Sequence, residues 1–267
     1  MCLTSKGSQI PPSYKLVYPA RWKPTKDAAV TTRSIRFLSR AAPALVQIAS
    51  LLSWLFVAVL GAPATATAQP QETSVSPLSL NAQLLVSARE GNAAQVARLL
   101  DQGAAVNSRN RLGKTPLLMA CEKGSTELAE VALVAGADVN LASVEGVTPL
   151  MAASYSGHAD IVRRLLDAGA RTASLDRMKK PAAVYAAGQG HAAVLAALFD
   201  AGVEVNAPYE HGLTALMWAA GQGQAAAVAL LLARGAHPEL RDDRGETALD
   251  IARGAGHEVA VRAAGLN

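Results

Sequence analysis

The chain has 267 residues and a formal net charge of +4, with 51% of its residues hydrophobic and only 4% aromatic. The charge is unevenly placed: residues 1–68 hold eight basic side chains against the single acid Asp27, leaving 17 basic and 20 acidic residues, a net of −3, for the remainder. The basic balance of the whole is therefore no argument for nucleic-acid binding, and two cysteines, Cys2 and Cys121, exclude a disulfide scaffold.

Lys6, Lys15, Arg21, Lys23, Lys26, Arg33, Arg36 and Arg40 precede a stretch from Ala41 to Gln71 without charge, strongly apolar between Leu45 and Leu60. Ala66-Thr67-Ala68 then precedes Gln69. A basic flank, an apolar run and a small-x-small tripeptide form the pattern of a secretory signal peptide, and the positive flank sends the downstream chain across the membrane. The uncharged run also suffices for a span of about 20 residues, so an uncleaved signal anchor is the second reading. The first reading predicts a periplasmic or exported protein, the second an inner-membrane anchor with the remainder outside the cytoplasm. A start at Val30, leaving residues 1–29 untranslated, stays open. Residues 69–78, with Pro70, Ser74, Ser76 and Pro77, read as a short polar linker.

From residue 79 the sequence is periodic: Gly91, Gly124, Gly157, Gly190, Gly223 and Gly256 recur at a 33-residue step, as do Gly103, Gly136, Gly169, Gly202 and Gly235. That period is the mark of a stacked helical array. Ser79 is the expected N-cap of a first helix, Leu80 to Glu90, in a unit without a projecting loop. In the second unit Thr115 can accept a hydrogen bond from an orphan helix N–H, and Pro116 suits the first helical position, so a short helix runs from there to Gly124. A second helix, roughly Thr126 to Ala135, carries Leu128, Val131 and Leu133 toward its neighbours before Gly136 closes it. Asp138-Val139-Asn140 leads into the next turn. The units fall at about 79–109, 110–142, 143–175, 176–208, 209–241 and 242–267. Both ends read as caps with a more polar outer face, the last bearing Glu258 and Arg262.

A partly broken series, Gly113, Gly146, Gly212 and Gly245, is followed by Thr115-Pro116-Leu117, Thr148-Pro149-Leu150, Thr214-Ala215-Leu216 and Thr247-Ala248-Leu249. With the constant step, these tripeptides make the chain resemble an ankyrin-repeat protein, of an exported bacterial type given the presequence. The resemblance implies an all-α repeat fold, an ankyrin solenoid of about six helix-turn-helix units with projecting hairpin loops. It also implies a non-enzymatic protein-binding module, with no nucleic-acid partner, expected as a monomer and touching membrane only through an uncleaved N-terminal segment; a membrane-anchored ankyrin scaffold facing the periplasm is the alternative reading, and a small-molecule enzyme a distant third.

Catalytic chemistry finds no foothold in the pattern. His158, His191 and His257 directly follow Gly157, Gly190 and Gly256 and so occupy one repeat position, which in ankyrin repeats is a local hydrogen-bonding residue between the two helices. Stacked helices lie about 8–10 Å apart, too far for equivalent side chains to share a metal at about 2 Å. Gly188, Gly190, Gly221 and Gly223 resemble pieces of a phosphate loop, but the repeat explains them as helix ends. Cys121 reads as a small buried thiol. No catalytic residue, metal or cofactor is expected.

The resemblance places a protein partner on the hairpin tips and the exposed face of the first helices. Tyr155, Tyr185 and Trp218 lie in the first helices of three consecutive units and are candidate partner-binding anchors; Tyr185 and Trp218 share a repeat position with Met119 and Ala152, so packing between helices is their other reading, whereas Tyr155 is expected to be exposed. Met178 and Leu213 are tip residues. The fourth unit departs from the pattern: Lys179 replaces glycine, Pro181-Ala182-Ala183 replaces the Thr-Pro-Leu tripeptide, and Arg171-Thr172-Ala173 replaces Asp-Val-Asn. Arg171, Arg177, Lys179 and Lys180 are accordingly expected on one irregular tip, either a solvated charge run in a decayed unit or a basic finger for an acidic segment.

Overall fold

The computed structural model of the protein describes residues 77–267. The presequence expected over residues 1–68 and most of the expected linker lie outside them. Among the described residues there are twelve α-helices and no strand, in six consecutive pairs. The first helices are α1 (Pro77–Glu90), α3 (Pro116–Lys123), α5 (Pro149–Ser156), α7 (Ala182–Gln189), α9 (Ala215–Gly221) and α11 (Ala248–Gly254). The second helices are α2 (Ala93–Asp101), α4 (Thr126–Val134), α6 (Ala159–Asp167), α8 (Ala192–Asp200), α10 (Ala225–Ala233) and α12 (Glu258–Ala263). First helices stack on first helices and second on second, giving two layers. No described helix is long and apolar enough to cross a membrane.

Most of the local punctuation follows from residue type. Thr115, Thr148, Thr214 and Thr247 accept the N–H groups of Leu118, Met151, Met217 and Asp250 at 3.2–3.4 Å, each satisfying one orphan donor of a first helix. Gly124 ends α3 with a left-handed φ of 74°, and its N–H bonds the Ala120 carbonyl. One expected start is corrected. Helix α1 begins at Pro77, so Ser79 lies in its first turn instead of capping it, and Oγ of Ser79 accepts from the Gln83 side chain at 3.3 Å. A proline's fixed φ suits the opening of a helix, and the last two residues of the expected linker are thereby helical.

The core is built from the same period. Leu99, Ala132, Leu165, Leu198 and Leu231 are buried at one repeat position, and Leu128, Ile161, Val194 and Ala227 at another. Each such side chain of Val, Leu or Ile size contributes roughly 1.5–3 kcal/mol on burial, and only stacking removes it from water. In α4, Leu128 is buried as expected, while Val131 and Leu133 are only partly covered and Ala129 and Ala132 make the tight contacts. Between pairs, a loop projects and closes on itself. Asn110, Ser143, Asp176, Tyr209 and Asp242 each donate a backbone N–H to the carbonyl four residues on, at 2.9–3.3 Å.

Candidate functional site

The tips are shaped by a series of turn residues that neither the glycine series nor the tripeptides single out. Oδ1 of Asn110 accepts from the N–H groups of Leu112 and Lys114, Oδ1 of Asp176 from Met178 and Lys180, and Oδ1 of Asp242 from Arg244 and Glu246, all at 2.8–3.0 Å. These side chains mimic a backbone turn, which is why Asn and Asp serve there. Ser143 does the same more weakly toward Val147, at 3.2 Å. A signal for them exists in the sequence, since the positions recur at the 33-residue step.

Three of the four boundaries between neighbouring tips carry a backbone rung. Val144 donates its N–H to Leu112 O, Arg177 to Glu145 O and Asp243 to His211 O, at 2.9–3.1 Å. Polar side chains also pair across the last three of the four boundaries. Arg177 Nη1 lies 3.6 Å from Glu145, Lys179 Nζ lies 3.3 Å from Glu210, and His211 Nδ1 lies 3.9 Å from Asp243. Exposed pairs of this kind contribute roughly 0–1 kcal/mol each, so they set local neutrality more than stability.

That arrangement corrects the expected placement of the four basic residues on one tip. Lys180 is buried, with its ammonium 4.6 Å from the centre of the Trp218 ring in the next unit. The equivalent Lys114 reaches Glu122 at 2.6 Å, but the residue matching Glu122 in the fourth unit is Gly188, so Lys180 lacks that in-unit carboxylate. Burial pushes the Lys180 pKa down, and the opposing pull of Asp176 and Glu210 does not fully restore it. Arg171 lies in the loop after α6, its N–H on Oδ1 of Asn140 at 2.9 Å, not at the tip. Arg177 and Lys179 remain exposed at the tip, each facing an acid of the adjoining unit. Lys179 adopts φ 52°, the left-handed conformation of the glycine it replaces.

Tyr155 is 42% exposed, and its ring meets Tyr185 edge-on at 5.9 Å and 83°. Tyr185 is half-buried and its hydroxyl donates to the buried carboxylate of Asp176. Trp218 and Leu213 are half-buried against the core. Leu112, Val144, Leu175 and Met178 are exposed on or beside successive tips, between 48% and 61%, so with Tyr155 they form the apolar part of the face.

The histidine position acts between units, not between the two helices of one unit. Nε2 of His191 lies 2.9 Å from the Tyr155 carbonyl of the preceding unit, and Gln224 at the same position donates to Gly188 O at 3.2 Å. Burial, then the charge of His191, push the His158 pKa down. Asn140 and Asn206 make a parallel link in the other loops, accepting from Arg171 and His237 and donating to Gly169 O and Gly235 O. Cys121 is buried, and burial together with Glu122 pushes its thiol pKa well above the ordinary range. Among the described residues no group of three His, Cys, Asp or Glu is placed to hold a metal.

Helix pairs stacked in two layers, with self-closed tips projecting between them, define a helical solenoid repeat protein. Family models described as ankyrin repeats (3 copies) and ankyrin repeats (many copies) match residues 84–179 and 198–252. The chain belongs to the ankyrin-repeat family. It is similar to the crystal structure of the ankyrin repeat protein EF0377, with a TM-score of 0.62 and 26% identity over 69% of this chain and 96% of that one. It is also 51% identical to the mitochondrial disaggregase of Bos taurus over 47 residues, 18% of this chain. The match spans only 7% of that relative. Ankyrin repeats are generic protein–protein interaction modules and typically act as non-enzymatic scaffolds.

Proposed function

We propose that this protein is an exported, non-enzymatic binding module that takes a protein partner on the tips and first-helix face of its third to fifth units. The observation that carries this is the row of exposed Val144, Leu175, Met178 and Tyr155 beside charges that are already matched across the tips. Aromatic and apolar side chains in such a setting are favoured binding anchors, while paired rim charges contribute little affinity. Arg177 and Lys179 lie on the same tip as Met178, Tyr185 packs edge-on against Tyr155, and Lys180 lies over Trp218.

Affinity capture from envelope extract with the wild-type chain and with the Tyr155→Ser, Met178→Ser double variant tests this reading. The expected partner is retained by the first and lost by the second, with unchanged helical content. Retention by both refutes the assigned face. Export rests on the presequence pattern, and mass analysis of the protein recovered from the envelope is expected to find an N-terminus near Gln69. Intact residues upstream of Leu60 would instead support the anchored scaffold.

A further inference from the structure

The fourth unit lacks, one by one, devices that its neighbours share. Its first helix α7 has Pro181 at the N-cap with no side-chain bond, where the first helices of the second, third, fifth and sixth units have a threonine that accepts an N–H. Ala173 stands where Asn107, Asn140 and Asn206 accept an N–H from the next unit, so that link is missing between the third and fourth units. Between the fourth and fifth tips the rung that would run from Glu210 N–H to Met178 O is also missing. An open depression lined by Leu175, Lys179, Pro208, Tyr209, Glu210 and His211 occupies that place. The two non-glycine residues with positive φ among the described residues, Lys179 at 52° and His211 at 60°, flank it.

Apart from the link lost at Ala173, the second-helix side keeps its bonds. His191 to Tyr155, Gln224 to Gly188, Asp200 to Arg234 and Asn206 to His237 all remain at 2.8–3.2 Å. The fourth tip is held to the third by the Arg177–Glu145 rung and ion pair, and to the fifth by side chains: Lys180 on Trp218 and the exposed pair of Lys179 with Glu210.

We infer that the tip and first helical turn of the fourth unit, residues 176–186, form a hinged finger that opens from the first-helix layer while the second helices stay stacked. The physical reason is comparative: residues 181–184 and 186 are buried like their counterparts in the third and fifth units, but this helix start lacks the threonine cap those units have and no backbone rung ties its tip to the fifth unit, so opening costs less here than there. The finger carries Met178 and the Tyr185 edge that supports Tyr155, so its opening reshapes the face assigned above. The inference does not depend on that assignment, because it concerns the free chain.

Hydrogen exchange of the full chain, read by mass spectrometry, separates the alternatives. In a uniform array the ends fray and the middle is best protected. Here the amides of Ala183–Ala186 are expected to exchange at least about tenfold faster than those at the equivalent positions 150–153 and 216–219, despite their central place. Equal or slower exchange overturns the finger. In the variant Ala173→Asn, Lys179→Gly, Pro181→Thr, which gives the fourth unit and its entry the residues that neighbouring units use, the difference is expected to close to within about threefold. A difference that persists in this variant would assign the opening to some other cause and equally overturn the inference.

Discussion

Replacing Gly157 by valine isolates two costs that the repeat makes predictable. Gly157 closes α5 with φ 81°, and its N–H bonds the Ala153 carbonyl. A side chain there takes a left-handed conformation that costs roughly 1–2 kcal/mol for an ordinary residue and more for a β-branched one. A Cβ at this position would also meet the His191 ring at 2.6 Å, so the ring must leave and its 2.9 Å contact with Tyr155 O is lost. A hydrogen bond of that kind contributes about 1 kcal/mol, which brings the expected destabilisation to roughly 2–4 kcal/mol. Gly169 separates the terms: its φ is 86° but nothing lies within 4 Å of where a Cβ would sit, so Gly169→Ala carries the backbone cost alone, about 1 kcal/mol. Gly188 carries neither cost. It lies inside α7 with ordinary helical backbone and open space for a Cβ, so Gly188→Ala is expected to be neutral or to stabilise by up to about 1 kcal/mol. Urea midpoints of the three variants, followed by circular dichroism, should fall in that order. Equal shifts for Gly157→Val and Gly188→Ala would refute both the register and the role given to His191.

At Asp242, burial raises the pKa, but the N–H of Glu246, the side chain and N–H of Arg244 and the charge of Arg244 together hold it below its usual 3.8. A folded-state pKa that is depressed contributes stability present above the unfolded value and lost as pH falls through the folded one. Acid titration of Asp242→Asn should therefore show a smaller loss of stability than wild type below about pH 4, and an unchanged acid limb would remove Asp242 from the account. For Lys180, Lys180→Met keeps the stem over Trp218 and drops a desolvated charge, so its stability should stay within about 1 kcal/mol of wild type. Lys180→Ser uncovers the ring and should cost about 1–2 kcal/mol with a red shift of tryptophan emission, read in a Trp22→Phe, Trp54→Phe background. Similar behaviour of the two variants would mean that the charge, not the stem, matters.

What the sequence determined by itself was everything closed within a few residues. The threonine caps, the glycine helix ends and the period of buried leucines depend on residue type and local spacing, and the 33-residue step copies them along the chain. A threonine finds an N–H three residues away whatever the tertiary structure does. Stacking decided the rest, because contacts between residues a full repeat apart depend on how one unit is seated on the next. Lys180 looks from sequence like a tip cation beside Lys179, and only the neighbouring Trp218 ring draws it inward. Arg177 and Lys179 look like a free basic pair, yet each faces an acid contributed by an adjoining unit. The histidine series was legible as one repeated position but not as a link between units, since its acceptor, the carbonyl of Tyr155, is a backbone atom that no side-chain pattern reveals. Type and period specify the unit, and only the packed array specifies which charges and rings are left to meet a partner.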